Sequence, residues 1–345
     1  MNNEPSNNEN IVKQIKELIF TARSSMERKV NHTMLITYWN IGKIIVEHEQ
    51  SGSKKAEYGK QLIKNLSKLL TNDIGRGFSM SNLFNMRAFY LNYPKFQTAS
   101  GKLSWSHYCE LISVSDINAR SFYENECQNA NWSVKELRRQ IDTSLFERLL
   151  LSDGKANKEK VLELASQGII YNQPNDILKD PYVFEFLAIP ENKPMIEKDL
   201  ERALIDKIEN FLLELGRGFM FVGSQRRITL GNTHYYVDMV FYNKILKAYV
   251  LIDLKMGSLR PENIGQMNMY VNYYANEVND EGDENPIGII LCADNSEVVA
   301  EFALGGLENQ IFASKYTYYI PNKEQLIKQV EEVIRSINEE KKRDD

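Results

Sequence analysis

The sequence predicts an all-α amino-terminal part followed by a mixed α/β sheet flanked by helices. Three observations predict it. Up to about residue 150, apolar residues recur at spacings of three and four and hardly a strand is visible. Between 172 and 196, Pro174, Pro181, Pro190 and Pro194 break any long helix, as an inter-domain crossing does. Beyond Gly216 and Gly218, three short segments rich in β-branched and aromatic residues follow, separated by Gly-Asn and Asn-Lys turn signals. The expected boundaries are 1–150 for a helical domain, 151–195 for the connection and 196–345 for the sheet domain.

Element by element, NIVKQIKELIFTARSSMERKV, TMLITYWNIGKIIVEHEQ and YGKQLIKNLSKLL each show one apolar helical face. GFSMSNLFNMRAFYLNY predicts a helix with Ser79 or Ser81 as N-cap and Leu83, Met86, Phe89 and Tyr90 inward. LSWSHYCELISV and WSVKELRRQIDTSLFERLLL each open on a Ser able to cap a helix, and His107 reads as a packed or capping residue. After the crossing, KDLERALIDKIENFLLEL predicts one long amphipathic helix ending near Gly216. FMFVGSQRRITL, THYYVDMVFYN and KAYVLIDLKMG predict strands. IGQMNMYVNYYANEV returns to helical spacing, IGIILCAD is a short apolar strand of the buried kind, and a last helix starts near Asn322. A βαβ crossover between VLIDLK and IGIILCA makes that pair parallel within a mixed sheet. GRGF recurs at 75–78 and 216–219 with unmatched flanks, which is no duplication.

With 345 residues, 43% of them hydrophobic, the chain has material for two ordinary cores. No run of about 18 apolar residues occurs and MNNEPSNNEN is polar, so a cytoplasmic protein without membrane contact is expected. Cys109, Cys127 and Cys292 lack CxxC spacing, which argues for reduced thiols and against a disulfide framework or zinc. The net charge of −5 lacks the basic signature of many nucleic-acid partners, although a local groove can be basic while acidic residues around a metal lower the total. His32, His48, His107 and His234 show no ligand spacing, and no Walker loop or Ser-His-Asp arrangement is visible, so no nucleotide cofactor is implied.

Three charged residues interrupt two apolar strands: Asp238 in YVDMVFYN, and Asp253 and Lys255 in YVLIDLK. Alternation puts Asp253 and Lys255 on one face. If the strands pair as a hairpin, Asp238 and Asp253 converge with the Lys255 ammonium beside them. Two buried carboxylates so placed are costly unless a cation neutralises them, and oxygen-only ligation suits Mg²⁺ or Mn²⁺. The same triplet also fits an edge Asp and a solvated Asp–Lys face. Gln266 and Tyr270 stand at i and i+4 on the next helix, hence on one face.

Asp, then Asp-x-Lys fifteen residues on, then Gln-x-x-x-Tyr resembles the PD-(D/E)XK nuclease superfamily in its RecB-like QxxxY branch, with Val237 where the name motif has Pro. Blocks from YWNIGKIIVEHEQ through GFSMSNLFNMRAFYLNYP, LSWSHYCELISV, KDPYVFEFL, VDMVFYN and YVLIDLK to GQMNMY resemble the YhcG-like family over about residues 30–335. The resemblance implies a restriction-endonuclease-like sheet after a helical domain of winged-helix or helix-turn-helix type. It implies a Mg²⁺- or Mn²⁺-dependent deoxyribonuclease linked to restriction, recombination or mobile elements, with Asp238, Asp253, Lys255, Gln266 and Tyr270 as its catalytic set. Asp238 and Asp253 would hold metal with an acidic residue of the preceding helix, for which Glu201, Glu209 and Glu214 compete and Glu201 is preferred.

Gln225 reads as a group reaching towards the site or as a polar strand end, and Arg226 and Arg227 as phosphate contacts or surface ion pairs. In the helical part, Ser81, Asn82 and Asn85 read as contacts to phosphates or bases, and Arg87, Lys135, Arg138 and Arg139 as backbone contacts, unless this is a solvated face. DNA is the expected partner, with a homodimer expected. Two other readings are an inactive or RNA-directed nucleic-acid-binding protein and an assembly subunit of a larger complex.

Overall fold

The computed structural model describes residues 7–51, 56–96, 102–151, 158–189, 196–294 and 310–344. The chain divides into two compact units, Met1–Arg138 and Arg139–Asp345.

In the first unit the two opening helical stretches form one 45-residue helix, α1 (Asn7–Ser51), because no Pro or Gly pair separates them. α2 (Ala56–Asp73) follows, then a turn with Gly75 and Gly77 at positive φ, then α3 (Met80–Asn92). Ser79 is the N-cap, accepting from the Asn82 amide at 3.2 Å. Ile45, Ile63, Leu83 and Met86 make the core of these three helices, with Trp105 against it. A Cβ at Gly42 would lie 2.0 Å from the Met86 carbonyl oxygen, so glycine is what lets α1 and α3 touch backbone to backbone.

α4 (Trp105–Leu111) is closed by His107, whose Nδ1 accepts from the Ser104 amide at 3.1 Å while Nε2 lies 3.0 Å from the Trp132 carbonyl. α5 (Ile117–Ala130) and α6 (Val134–Asp142) complete the run, and Ser133 caps α6 in a capping box with Glu136. No strand occurs among the described residues of this unit, so they hold no wing; the helix–turn–helix order of α2 and α3 is what remains of that expectation.

The second unit opens with α7 (Leu145–Leu151) and α8 (Lys158–Gln167) and then β1 (Tyr182–Val183), which lies inside the proline-rich stretch. That stretch is therefore more than the connection expected over 151–195. α9 (Glu197–Asp206) and α10 (Ile208–Leu215) follow. The single helix expected here is broken at Lys207, and nothing in the local sequence explains the break; Leu200, Leu204, Phe211 and Leu215 still bury one continuous face.

β2 (Phe219–Leu230), β3 (Thr233–Asn243) and β4 (Ala248–Ser258) form an antiparallel meander. α11 (Pro261–Tyr273) crosses over to β5 (Ile287–Asp294), then come β6 (Gln310–Thr317) and α12 (Lys323–Asp344). The sheet order is β1-β6-β5-β4-β3-β2, with β4, β5, β6 and β1 mutually parallel, as the crossover requires. α11 packs Met267, Tyr270 and Val271 on Val240, Leu251 and Ile290. A Cβ on Gly288 would meet the Met267 side chain at 2.6 Å, so this glycine sets how closely α11 lies on the sheet.

The second unit begins before residue 150, and the segment from Arg139 carries one fully buried guanidinium, Arg148, and one partly buried, Arg139. Arg148 donates to Glu214 Oε1 at 2.5 Å, and Arg139 to Glu214 Oε2 at 3.2 Å and Glu185 Oε1 at 2.6 Å. Arg139, read from sequence as a phosphate contact, is thus an internal ion-pair partner.

Candidate active site

The antiparallel ladder between β3 and β4 runs from Asn243↔Ala248 to Met239↔Ile252, so Asp238 and Asp253 are the next facing pair beyond its end. On the other side of β3, Ser224 pairs with Met239 and Arg226 with Val237, which sets Gln225 opposite Asp238. Gln225 has φ 47, a left-handed conformation unusual for a side chain larger than glycine. Three polar residues from three neighbouring strands therefore form a row across the sheet where regular pairing is interrupted.

Each member of the row is held from a different element. Asp238 Oδ2 accepts from the Leu254 amide at 2.9 Å, and its Oδ1 accepts from Gln225 Nε2 at 3.2 Å. The same Gln225 amide donates to Glu201 Oε2 at 2.8 Å, which brings α9 to the row. Lys255 Nζ lies 2.7 Å from Asp253 Oδ2 and 3.2 Å from Glu197 Oε1. At 2.7 Å the ammonium is in direct contact with the buried Oδ2 of Asp253.

Electrostatics follows from burial. Asp253 is 2% exposed. Burial first and the Asp238 charge second push its carboxyl up to about 7, against the pull of Lys255. Glu201 is raised for the same two reasons, burial and then Asp238, with Gln225 opposing. For Lys255, burial acts to lower the proton affinity, but Asp253 and Glu197 outweigh it and hold the ammonium charged.

The oxygens of Glu201, Asp238 and Asp253 are hard donors of the kind that suit a divalent cation. Among the described residues no three His, Cys, Asp or Glu side chains stand together closely enough to hold a metal. Gln225 stands between Glu201 and Asp238, and Lys255 against Asp253, as neutral and cationic partners for the same oxygens. The donor chemistry of these oxygens fits a divalent cation, and Gln225, which stands between two of them, is exposed.

Gln266 and Tyr270 share one face of α11, as their spacing predicts. Gln266 Nε2 donates to Tyr270 Oη at 2.5 Å, and Tyr270 donates to the Tyr236 carbonyl at 2.9 Å. The pair fastens β3 two residues before Asp238, and Tyr270 is fully buried.

The other candidates separate. Glu209 is exposed and Glu214 is buried among cations, which leaves Glu201 as the helix carboxylate at the row. Arg226 and Arg227 are both exposed, and Arg226 also hydrogen-bonds Tyr274. Asn82, half-buried, donates to the Gly77 carbonyl at 2.5 Å and accepts from Trp105 Nε1 at 2.8 Å; Asn85 donates to Cys109 Sγ at 3.4 Å. Arg87 pairs with Glu49 at 2.8 Å and Arg138 with Glu110 at 2.5 Å. These groups, expected to face nucleic acid, bond within their own unit: the asparagines sit on the face of α3 against α4, Arg87 turns to α1 and Arg138 reaches from α6 to α4. Glu197 was not among the expected site residues. Its signal was its place four residues before Glu201, on the same helix face.

Residues 175–331 match the family model described as the YhcG PDDEXK nuclease domain, and residues 14–148 match the DUF1016 N-terminal domain. The YhcG protein of Escherichia coli (strain K12), named as a candidate nuclease, is 39% identical over alignments covering 90% of each chain. A repair endonuclease from Pyrococcus abyssi aligns at a TM-score of 0.26 and 18% identity, over 36% of this chain and 49% of that one. Nucleases of the PDDEXK type generally use divalent metal ions.

Proposed function

The chain belongs to the family of YhcG PDDEXK nucleases, and from that premise we propose that it is a Mg²⁺- or Mn²⁺-dependent deoxyribonuclease. The observation that carries the reading is the row of Gln225, Asp238 and Asp253 with Glu201 and Lys255 at its sides.

Glu201, Asp238 and Asp253 would hold the cation. When bound, it supplies Lewis-acid polarisation of the phosphodiester and makes a water more acidic. The chain's own groups do the rest. The Leu254 amide fixes the Asp238 carboxylate, and Asp253 and Glu197 hold the Lys255 ammonium, where it orients the nucleophile and balances charge gathering on phosphorus. Gln225 swings its amide between protein carboxylates and the incoming backbone. Exposed Arg227 pairs with a flanking phosphate. Residues 1–150 serve DNA binding or assembly, and a restriction, recombination or mobile-element setting is the role proposed for the whole.

The direct test incubates the full chain with supercoiled, linear, single-stranded and branched DNA in Mg²⁺, Mn²⁺ or chelator. Cleavage of at least one substrate, abolished by chelator, is expected; intact DNA in every metal-containing reaction would end the nuclease reading.

Tyr270→Phe is expected to act through β3. It deprives the Tyr236 carbonyl of a buried donor, at a cost of about 1–2 kcal/mol. Cleavage should fall by roughly tenfold through misplacement of Asp238, while metal affinity, read by calorimetry, stays near that of the unaltered chain. A loss of metal binding would instead make Tyr270 part of the metal site.

A further inference from the structure

The first half of α1 presents apolar side chains that its own unit does not cover. Residues 11–23 are exposed throughout. Leu18 is 73% exposed, Met26 69% and Val30 56%, with Ile11, Ile15 and Ile19 each near half.

These residues are ordered. Leu18, Ala22, Met26, Val30 and Met34 form an unbroken i+4 ridge, and Ile11, Ile15 and Ile19 form a second ridge beside it. Charged Lys13, Lys16, Glu17, Glu27 and Arg28 fall outside the two ridges, while Arg23, four residues after Ile19, and Lys29, three after Met26, border them. Over residues 11–34 the face is about 36 Å long. Such a segment is marginally stable as an isolated helix, since most helical stability comes from packing an apolar face.

We propose that α1 pairs with α1 of a second copy of this chain, making a two-fold dimer. Area is the first argument. The eight large aliphatic side chains of the two ridges and Val12, between 40% and 73% exposed, leave contiguous apolar surface on the order of several hundred Å², near the top of what a monomer shows and close to the ~800 Å² per partner of a standard interface.

Shape is the second argument. An i+4 ridge packs into the matching groove of an identical helix at a crossing of about −50°, and a two-fold axis lets one patch cover itself. Ala22, the small residue midway along the longer ridge, sits at the point of closest approach, with Leu18 and Met26 of each copy on either side. The pairing does not rest on the catalytic reading.

Light scattering of the full chain should give twice 40.0 kDa. The double substitution Leu18→Lys with Met26→Lys should halve that mass. Because these lysines also weaken the helix, a second variant reads the contact without removing it. Ala22→Cys should form a disulfide-linked dimer under mild oxidation, far above the background of the unaltered chain, whose Cys127 and Cys292 are buried and whose half-buried Cys109 sets that background. The proposal falls if the unaltered chain has the mass of one copy at every concentration. It falls equally if the double-lysine chain keeps the full dimer mass, or if Ala22→Cys cross-links no more than background.

Discussion

Asp253→Asn is expected to abolish metal-dependent cleavage, by three decades of rate or more, equivalent to about 4 kcal/mol of lost transition-state stabilisation, while the fold stays intact. Asn fills the same volume on β4 but removes the charge that binds a hard cation. The raised proton affinity of Asp253 sets the sign of the stability change in the absence of metal. A carboxyl held near 7 in the fold, against 3.8 ordinarily, contributes stability that is complete at low pH and is lost as pH rises from about 4 through 7. Asn keeps the neutral state at every pH, so the metal-free variant should melt no lower than the unaltered chain at neutral pH, and its melting temperature should fall less across that window. Cleavage, DNA affinity by gel shift and melting with and without Mn²⁺ separate the outcomes. Equal cleavage by both proteins removes Asp253 from the mechanism; loss of cleavage with collapse of the fold makes its role structural.

The elements with strong periodicity were legible in the sequence, and so was the pairing of the two strands that carry Asp238 and Asp253. What could not be read was register-dependent. Gln225 faces Asp238 only because β2 slips by one residue between Phe221 and Gly223, and no local pattern announces that slip. β1 is two residues long among prolines and exists because β6 offers it an edge, a contact between residues more than 130 positions apart. Charge was the weakest guide. Arg87, Arg138 and Arg139 have the composition of a phosphate-binding face, yet each lies against a carboxylate that sequence distance conceals: Glu49, Glu110 and the pair Glu185 and Glu214.

Among the three glutamates that compete for the site, Glu214 is expected to give the largest loss of stability and no direct effect on the chemistry. Its side chain is fully buried, accepting from Arg148 at 2.5 Å, Arg139 at 3.2 Å and the Val183 amide at 3.0 Å, while its own carbonyl accepts from Lys179. Burial alone would raise its proton affinity; Arg148, Lys179 and Arg139 outweigh that and bring it down to about 2. Glu214→Ala strands Arg148, which is 0% exposed, without its counter-charge. Breaking a buried pair by removing one partner costs about 3–5 kcal/mol, a fall in Tm on the order of 10 °C for a unit of this size. The pH dependence is opposite in sign to that of Asp253. A depressed carboxyl contributes stability that is present above its ordinary 4.5 and lost as pH falls from there through about 2. The unaltered chain should therefore weaken steeply in that acid window and Glu214→Ala should weaken less, the two curves converging. A fragment starting at residue 151 lacks both Arg139 and Arg148 and should fail as Glu214→Ala does, whereas one starting at 139 keeps them. Calorimetric melting between pH 7 and pH 3 decides: an unchanged Tm at pH 7, or an acid transition retained in the variant, would show that the three cations do not depend on Glu214.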